Sequence, residues 1–389
     1  VGHTLGLAHN FAASTYGRAS VMDYPAPLVR LVNGQVDLKD AYRTGPGDYD
    51  RFAIRYAYSA FAPEEEAAAL ERMVAEGLKQ GLVFLSDRDA RPASAAEPRA
   101  NLWDNRADPR ADFRNAQAVR RVLLAEFGAN AIRSGEPVAL LEERLAPVYF
   151  HHRFALEAAT KMVGGMEYVY EVAGDGQAGP RLLEPAAQRE ALGLLLEALK
   201  PEALALPEDV VARLAPRPFG YGETPEDFNS KTWPAFDELG AARMLATMIV
   251  ERLLNRERAA RLVAFAMRQE EALTLTEVVE ELLQATWGQH WPTDPKPAAL
   301  QRVAQRAVLD GLLKLAGDKD ATVEVRAVAE WALADLLDDL KDQEHPEPMG
   351  EAARQLAERD IRRFFNRTDA VTERSRALEA PPGSPIGRR

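Results

Sequence analysis

Cysteine is absent from this sequence of 389 residues, which excludes disulfide bonds and thiolate metal ligands. Nitrogen and oxygen ligands remain, and both suit a zinc ion. The absence of cysteine does not fix the cellular compartment, because envelope and cytosolic bacterial proteins alike occur without it.

Basic residues are also fewer than acidic residues. Lys and Arg together number 48 against 60 Asp and Glu, which gives a formal net charge of -12. Because nucleic-acid binding depends on neutralising phosphates with basic side chains, this balance argues against a nucleic-acid partner. No apolar run approaches the roughly 18 residues of a membrane-spanning helix, so no membrane span is expected. The sequence leaves the oligomeric state open.

The first residue is Val, and no charged and then apolar leader precedes the first motif. We therefore interpret the chain as the C-terminal portion of a longer protein, with any targeting segment outside it. The composition, 47% hydrophobic and 28% charged, is ordinary for a globular protein. At this length, two or three domains and a sizeable core are expected.

Helical periodicity dominates the sequence from about residue 113 onward, where apolar residues recur at a spacing of three to four. We predict a mainly α fold. An Asn33-Gly34 turn indicates a small hairpin, and a short strand is expected over 82–85. The helices are predicted over 116–131, 138–171, 184–199, 241–263, 276–286, 297–315, 321–340 and 351–365. The domain prediction has four segments: 1–60, a connecting segment 61–112, a helical domain 113–380, and a disordered Pro/Gly-rich tail 381–389.

The first ten residues contain two histidines with a glycine midway between them. They read Val1-Gly2-His3-Thr4-Leu5-Gly6-Leu7-Ala8-His9-Asn10, the right-hand part of the metalloprotease signature H-E-x-x-H-x-x-G-x-x-H. The signature's first two histidines share one helix face, so both imidazoles reach a single ion. A third histidine reaches that ion only if the helix ends, and Gly6 ends it because glycine adopts positive φ at no steric cost. His3 and His9 are therefore candidate zinc ligands.

Two later stretches extend the pattern. They are Ser20-Val21-Met22-Asp23-Tyr24-Pro25 and Gly47-Asp48-Tyr49-Asp50-Arg51-Phe52-Ala53-Ile54-Arg55-Tyr56. With them, the chain resembles the metzincin clan of zinc endopeptidases, and more closely a bacterial Met-zincin family of large zinc-dependent metalloproteases. The specific matches cover about the first 60 residues. Leu102-Trp103-Asp104-Asn105 and the helical tail resemble that family less specifically.

The resemblance implies a fold and a set of roles. Residues 1–60 would be the C-terminal subdomain of a metzincin-like α+β catalytic domain, followed by a large helical domain. His3 and His9 would bind zinc, and Met22 would form an apolar floor beneath the metal without coordinating it. Tyr24 has two interpretations, a phenol that contacts the metal or the oxyanion, or a core or hairpin tyrosine.

The same resemblance places the first histidine and the general-base Glu just before Val1, outside the chain. We therefore expect the intact parent to be a zinc-dependent endopeptidase acting on peptide or protein substrates, and this chain alone to be inactive. A secreted or periplasmic and envelope location is expected by the same resemblance. The alternative is a non-catalytic helical scaffold or interaction module with a degenerate zinc motif. A zinc hydrolase of non-peptide substrates fits less well, because the methionine-containing turn that Ser20-Val21-Met22-Asp23-Tyr24 resembles (the Met-turn) accompanies peptidases.

Trp103, within the connecting segment, also has two interpretations. It either lines a substrate cleft or pins a loop to the helical domain.

Overall fold

The computed structural model describes residues 1–367 except 19, 25, 223, 342 and 343. Most of this part is helical, and its strands pair into two antiparallel hairpins. The prediction of a mainly α fold is confirmed. The predicted tail 381–389 lies outside the described residues, and the boundaries of the other three segments stay a prediction.

The helices and strands have the following bounds. The first group of helices is α1 (Asp48–Tyr58), α2 (Pro63–Lys79), α3 (Asp87–Ala90), α4 (Pro109–Ala125), α5 (Leu140–Tyr149), α6 (Arg153–Thr160), α7 (Pro185–Glu197) and α8 (Pro201–Leu204). The second group is α9 (Glu208–Val211), α10 (Glu238–Leu253), α11 (Arg256–Ala266), α12 (Leu275–Thr286), α13 (Pro295–Ala316), α14 (Val323–Lys341) and α15 (Pro348–Phe365). The strands are β1 (Arg30–Val32), β2 (Gln35–Asp37), β3 (Met166–Glu167) and β4 (Arg181–Leu182).

The predicted hairpin is present as β1 and β2, with Leu31 opposite Val36. Its two turn residues, Asn33 and Gly34, have φ of 52° and 79°, the left-handed conformation that an Asn-Gly turn requires. The hairpin packs against α4, where the Asn115 amide donates to the carbonyl oxygen of Val29 at 3.0 Å.

Several local predictions were wrong. The helix predicted over 241–263 is divided into α10 and α11, because the Asn255 side chain accepts the N–H groups of Glu257 and Arg258 and begins a new helix. Residues 82–85 run as irregular backbone, because their polar groups bond to the Asn10 side chain and the Phe11 amide instead of to a neighbouring strand. The helix predicted over 138–171 is divided into α5 and α6 and stops at Thr160. Beyond it Gly164 has φ of 61°, and a Cβ on Gly165 would lie 2.4 Å from the Lys161 carbonyl oxygen, so the chain turns there into β3.

The main hydrophobic core belongs to the helices from α4 to α15. Its central element is α13, which packs against α8, α10, α12, α14 and α15. Gly311 permits the close contact of α13 with α10, because a Cβ there would lie 2.6 Å from the Val250 side chain. In the part of the chain that the structure describes, no helix has the length and apolar character needed to cross a membrane.

A second, smaller core joins the start of the chain to the connecting segment. Phe11, Leu85 and Ala100 are fully buried in it, and Tyr24 packs against them. The connecting segment is attached in turn to the large helical core. Lys161, directly after α6, donates to the carbonyl oxygens of Ala90 (2.8 Å) and Ala100 (2.5 Å). The start of the chain is thereby held against the helices through the connecting segment as well as through the packing of the β1–β2 hairpin on α4.

Candidate metal centre

The two histidines of the opening motif meet at their ring nitrogens. His3 lies in a short 3-10 turn, His3–Leu5, and Gly6 follows with φ of 78° and donates its N–H to the His3 carbonyl oxygen. This left-handed residue reverses the chain, as the motif predicts, and brings His9 back toward His3. Their Nε2 atoms are 3.1 Å apart, and the ring planes are inclined by 77°.

The opposite nitrogen of each ring has an oxygen acceptor. His3 Nδ1 is 2.9 Å from the carbonyl oxygen of Leu7, and His9 Nδ1 is 2.8 Å from Oδ2 of Asp87. Since both partners accept, each Nδ1 carries the proton and donates it. A neutral imidazole then has its lone pair on Nε2. When both rings are neutral, the two lone pairs face one another, and a cation or a proton shared between the Nε2 atoms satisfies both.

This donor set fits part of a zinc site. Zinc–nitrogen bonds of about 2.0–2.1 Å in a tetrahedron separate two ligand nitrogens by roughly 3.3 Å, close to the spacing between these rings. Among the described residues, no three or more His, Asp or Glu side chains gather into one metal-binding group. The described chain therefore brings together two candidate ligands for such an ion.

Met22 lies directly behind the turn that carries His3. It is 5% exposed, and its Sδ would be only 2.1 Å from a Cβ placed on Gly2. The Met22 carbonyl oxygen accepts the Asn10 N–H at 3.1 Å, so the turn at residues 20–24 is bonded to the residue after His9. These contacts place the Met22 thioether against the backbone of Gly2, the residue before His3, and its role as an apolar floor beneath a metal stays a prediction.

Asp50 of α1 fixes the same turn. Its carboxylate, 5% exposed, accepts from the Ser20 hydroxyl (2.7 Å), the Val21 N–H (3.1 Å) and the Gly47 N–H (2.7 Å). Helix α1 begins at Asp48, directly after Gly47. The side chain that accepts the Gly47 N–H at this helix start is that of Asp50. One carboxylate thus joins the beginning of α1 to the Met22 turn.

Tyr24 lies between His9 and Trp103. Its ring centroid is 4.5 Å from that of His9 and 5.0 Å from that of Trp103, which stacks on it at 16°. Trp103 has φ of 62°, a conformation that is rare for a bulky residue and concentrates at functional sites. The Trp103 ring also lies 6.1 Å from Phe154 of α6. Tyr24 therefore lies beside His9, and Trp103 contacts both Tyr24 and helix α6.

Comparison with known proteins decides the family. The family model described as Met-zincin matches residues 1–294 of the chain's 389. The chain belongs to the Met-zincin family. No curated protein and no solved structure matches the chain. The match extends far beyond the first 60 residues and ends immediately before α13, which begins at Pro295.

Asp87, which faces His9 in this Met-zincin, was not recognised in the sequence. It lies 78 residues after His9, in the stretch 87–112 that the sequence marks only as an ordered connection. Asp87 is followed by Arg91, four residues on and bonded to Oδ1 of Asp87. An i,i+4 Asp–Arg pair is common on helix surfaces, so nothing local in the sequence distinguishes this one.

Two carboxyl groups of the Met-zincin chain, Asp23 in the Met22 turn and Asp104 in the connecting segment, are buried against Ser14. Asp23 accepts the Ser14 N–H at 2.5 Å, and Asp104 accepts the Ser14 hydroxyl at 3.0 Å. Burial and the nearby Asp104 carboxyl raise the pKa of Asp23 well above its usual range. Burial, and then repulsion from Asp112, raise the pKa of Asp104 likewise. The protonated form is favoured, which avoids two unpaired buried charges under the site.

Proposed function

We propose that this Met-zincin chain provides two zinc ligands, His3 and His9, to the active site of a zinc-dependent endopeptidase. The observation that carries the proposal is the meeting of two Nε2 atoms at 3.1 Å while each Nδ1 donates to an oxygen acceptor. Membership of the Met-zincin family supports the same chemistry. The substrate class proposed is a peptide or protein.

Each residue around the histidines has a proposed task. Leu7 and Asp87 hold the two imidazoles with their Nε2 atoms directed at one point, and Met22 excludes water from beneath them. Zinc, when bound, supplies a Lewis acid that activates water for attack on a peptide carbonyl.

Tyr24 is proposed as the hydrogen-bond donor to the oxygen that becomes negative during that attack. Its position beside His9, with Trp103 stacked behind it, supports this role over that of a core tyrosine. No described residue is assigned the transfer of the water proton.

A peptidase assay on the intact gene product that contains this sequence tests the proposal. With a mixture of internally quenched peptides, we expect turnover that a chelator abolishes and added zinc restores. His9→Ala should lower the rate at least about 100-fold, because an incomplete ligand set binds the metal poorly. His290→Ala is the matched control, since His290 is exposed and distant in sequence from the motif.

Two outcomes would contradict the proposal. Turnover that persists in His9→Ala would remove His9 from the site. A folded, zinc-loaded protein without activity on any peptide would favour the scaffold alternative.

A further inference from the structure

We propose that Asp87 is the positioning residue of the metal centre, which sets the protonated nitrogen and the orientation of the His9 ring. The inference rests on the proposed function, because it assigns His9 to a metal ion. It adds a residue from the connecting segment to a site that the sequence places entirely within the first 60 residues.

The contact has the geometry of a carboxylate that supports a metal-bound histidine. Asp87 Oδ2 lies 2.8 Å from His9 Nδ1, and its other oxygen receives the Arg91 guanidinium. The His9 side chain is 12% exposed, so little water competes for Nδ1. Both carboxylate oxygens are thereby occupied, and the carboxylate plane is fixed relative to the imidazole.

The backbone around Asp87 is bonded to the residues next to His9. Asn10 is fully buried; its amide donates to the Val83 carbonyl oxygen (2.8 Å) and its Oδ1 accepts the Leu85 N–H (3.1 Å). The Phe11 N–H donates to the Leu85 carbonyl oxygen at 2.7 Å. These three bonds hold the segment that leads into α3 directly against the histidine segment, which explains how a residue so distant in sequence reaches His9.

A second set of bonds fixes α3 itself. Asp89, 3% exposed, accepts the Ser86 N–H at 2.7 Å and caps the start of this short helix. Its other oxygen accepts the hydroxyls of Tyr168 (2.8 Å) and Tyr170 (2.6 Å), which follow β3. Asp87 therefore projects from a helical turn that is held on both sides.

The Asp87 carboxylate affects the chemistry of the His9 imidazole. An acceptor at Nδ1 keeps the proton there and leaves the Nε2 lone pair free, directed at His3. A carboxylate in that position also raises the basicity of the ligand, and removal of such a partner typically weakens metal binding about 10–100-fold. Without Asp87, the His9 ring is free to rotate or to exchange its protonated nitrogen.

Two measurements on the intact gene product test the inference. First, the metal-free protein is labelled with ¹⁵N-histidine, and long-range ¹H–¹⁵N NMR reports which nitrogen of His9 is protonated. The 389-residue sequence contains 6 histidines. We expect the Nδ1–H form in the native protein and its loss in Asp87→Ala. Second, competition with a chromophoric chelator gives the zinc Kd, which should rise about 10–100-fold in Asp87→Ala.

Two further variants separate positioning from general damage. Asp87→Asn retains an acceptor oxygen of nearly the same shape, so we expect it to keep the Nδ1–H form and to raise Kd by less than about 10-fold. Asp209→Ala is the control, because it removes a surface carboxylate that also pairs with an arginine four residues later, Arg213. It should change neither the protonated nitrogen of His9 nor the zinc Kd.

The outcomes are distinguishable. A native protein that binds no zinc overturns the proposed function. A native protein that binds zinc, with an unchanged His9 tautomer and an unchanged Kd in a folded Asp87→Ala, overturns the role of Asp87 alone. If circular dichroism shows that Asp87→Ala is unfolded, Asp87→Asn decides instead. A zinc Kd of Asp87→Asn as high as that of His9→Ala would then overturn the role of Asp87.

Discussion

Gly2 is the residue on which the position of Met22 depends. Its backbone is ordinary right-handed helix, with φ of -57° and ψ of -47°, so the requirement for glycine is one of space and not of conformation. A Cβ would lie 2.1 Å from Sδ and 3.2 Å from Cε of Met22. The thioether has no room beside any larger residue at this position.

Gly2→Ala should therefore displace the Met22 thioether from its contact with the backbone before His3. We expect the free energy of unfolding to fall by about 1–3 kcal/mol, the usual cost of overpacking, and the zinc Kd to rise. Urea denaturation and chelator competition check the two effects. Gly193→Ala in α7 is the control, because nothing lies within 4 Å of a Cβ there; it should be neutral or stabilising. Equal destabilisation by both variants would show that Met22 is not seated against Gly2.

At the same scale, local motif chemistry indicated the residues His3, Gly6, His9, Met22 and Tyr24, and the structure brings them together. Their roles stay proposals. Asp87, Asp50 and the partners of Asn10 could not be found in this way. Their contacts join segments separated by 30 to 78 residues, and no periodicity or spacing encodes such a pairing.

Among the elements, α1 carries the closest connection to the site. Asp50 bonds the start of α1 to the Met22 turn, and the Tyr58 hydroxyl near its end donates to the Leu5 carbonyl oxygen at 3.0 Å. The helix thus holds both the turn of His3 and the turn of Met22.

Asp50→Ala should destabilise the protein by roughly 1.5–3 kcal/mol, because it leaves the N–H groups of Gly47 and Val21 without their buried acceptor. Asp48→Ala is the matched control two residues away. Its carboxylate is exposed and pairs only with Arg51 at 2.9 Å, so its loss should cost less than about 1 kcal/mol. Chemical denaturation measures both, and similar losses in the two variants would contradict the role assigned to Asp50.

The elements that the sequence predicted correctly are those with a strong local pattern. Apolar residues at helical spacing indicated most helices after α4, and an Asn-Gly pair indicated the β1–β2 hairpin. The interruption after α6 was missed because Met162 and Val163 are buried and continue the apolar pattern past the end of the helix. The apolar residues 82–85 resemble a strand, yet their backbone partner is a side chain, Asn10.

For the whole molecule, the two hydrophobic cores differ in what they support. The smaller one, around Phe11 and Leu85, contacts His9 through Phe11, and the larger one belongs to the helices. Lys161 and Arg258 connect them through carbonyl oxygens of the connecting segment, Arg258 to Ala95 at 3.3 Å. The Met-zincin match covers this connection and ends before α13, so the last three helices lie outside the matched region.

The most direct measurement of the central claim is the zinc content and zinc affinity of the intact gene product and its histidine variants. We predict one tightly bound zinc ion, with nitrogen ligands at about 2.0–2.1 Å by X-ray absorption. His3→Ala and His9→Ala should each lose the bound ion on dialysis, while His290→Ala keeps it. Full zinc occupancy with unchanged affinity in both His3→Ala and His9→Ala would contradict the claim that these two imidazoles share a metal.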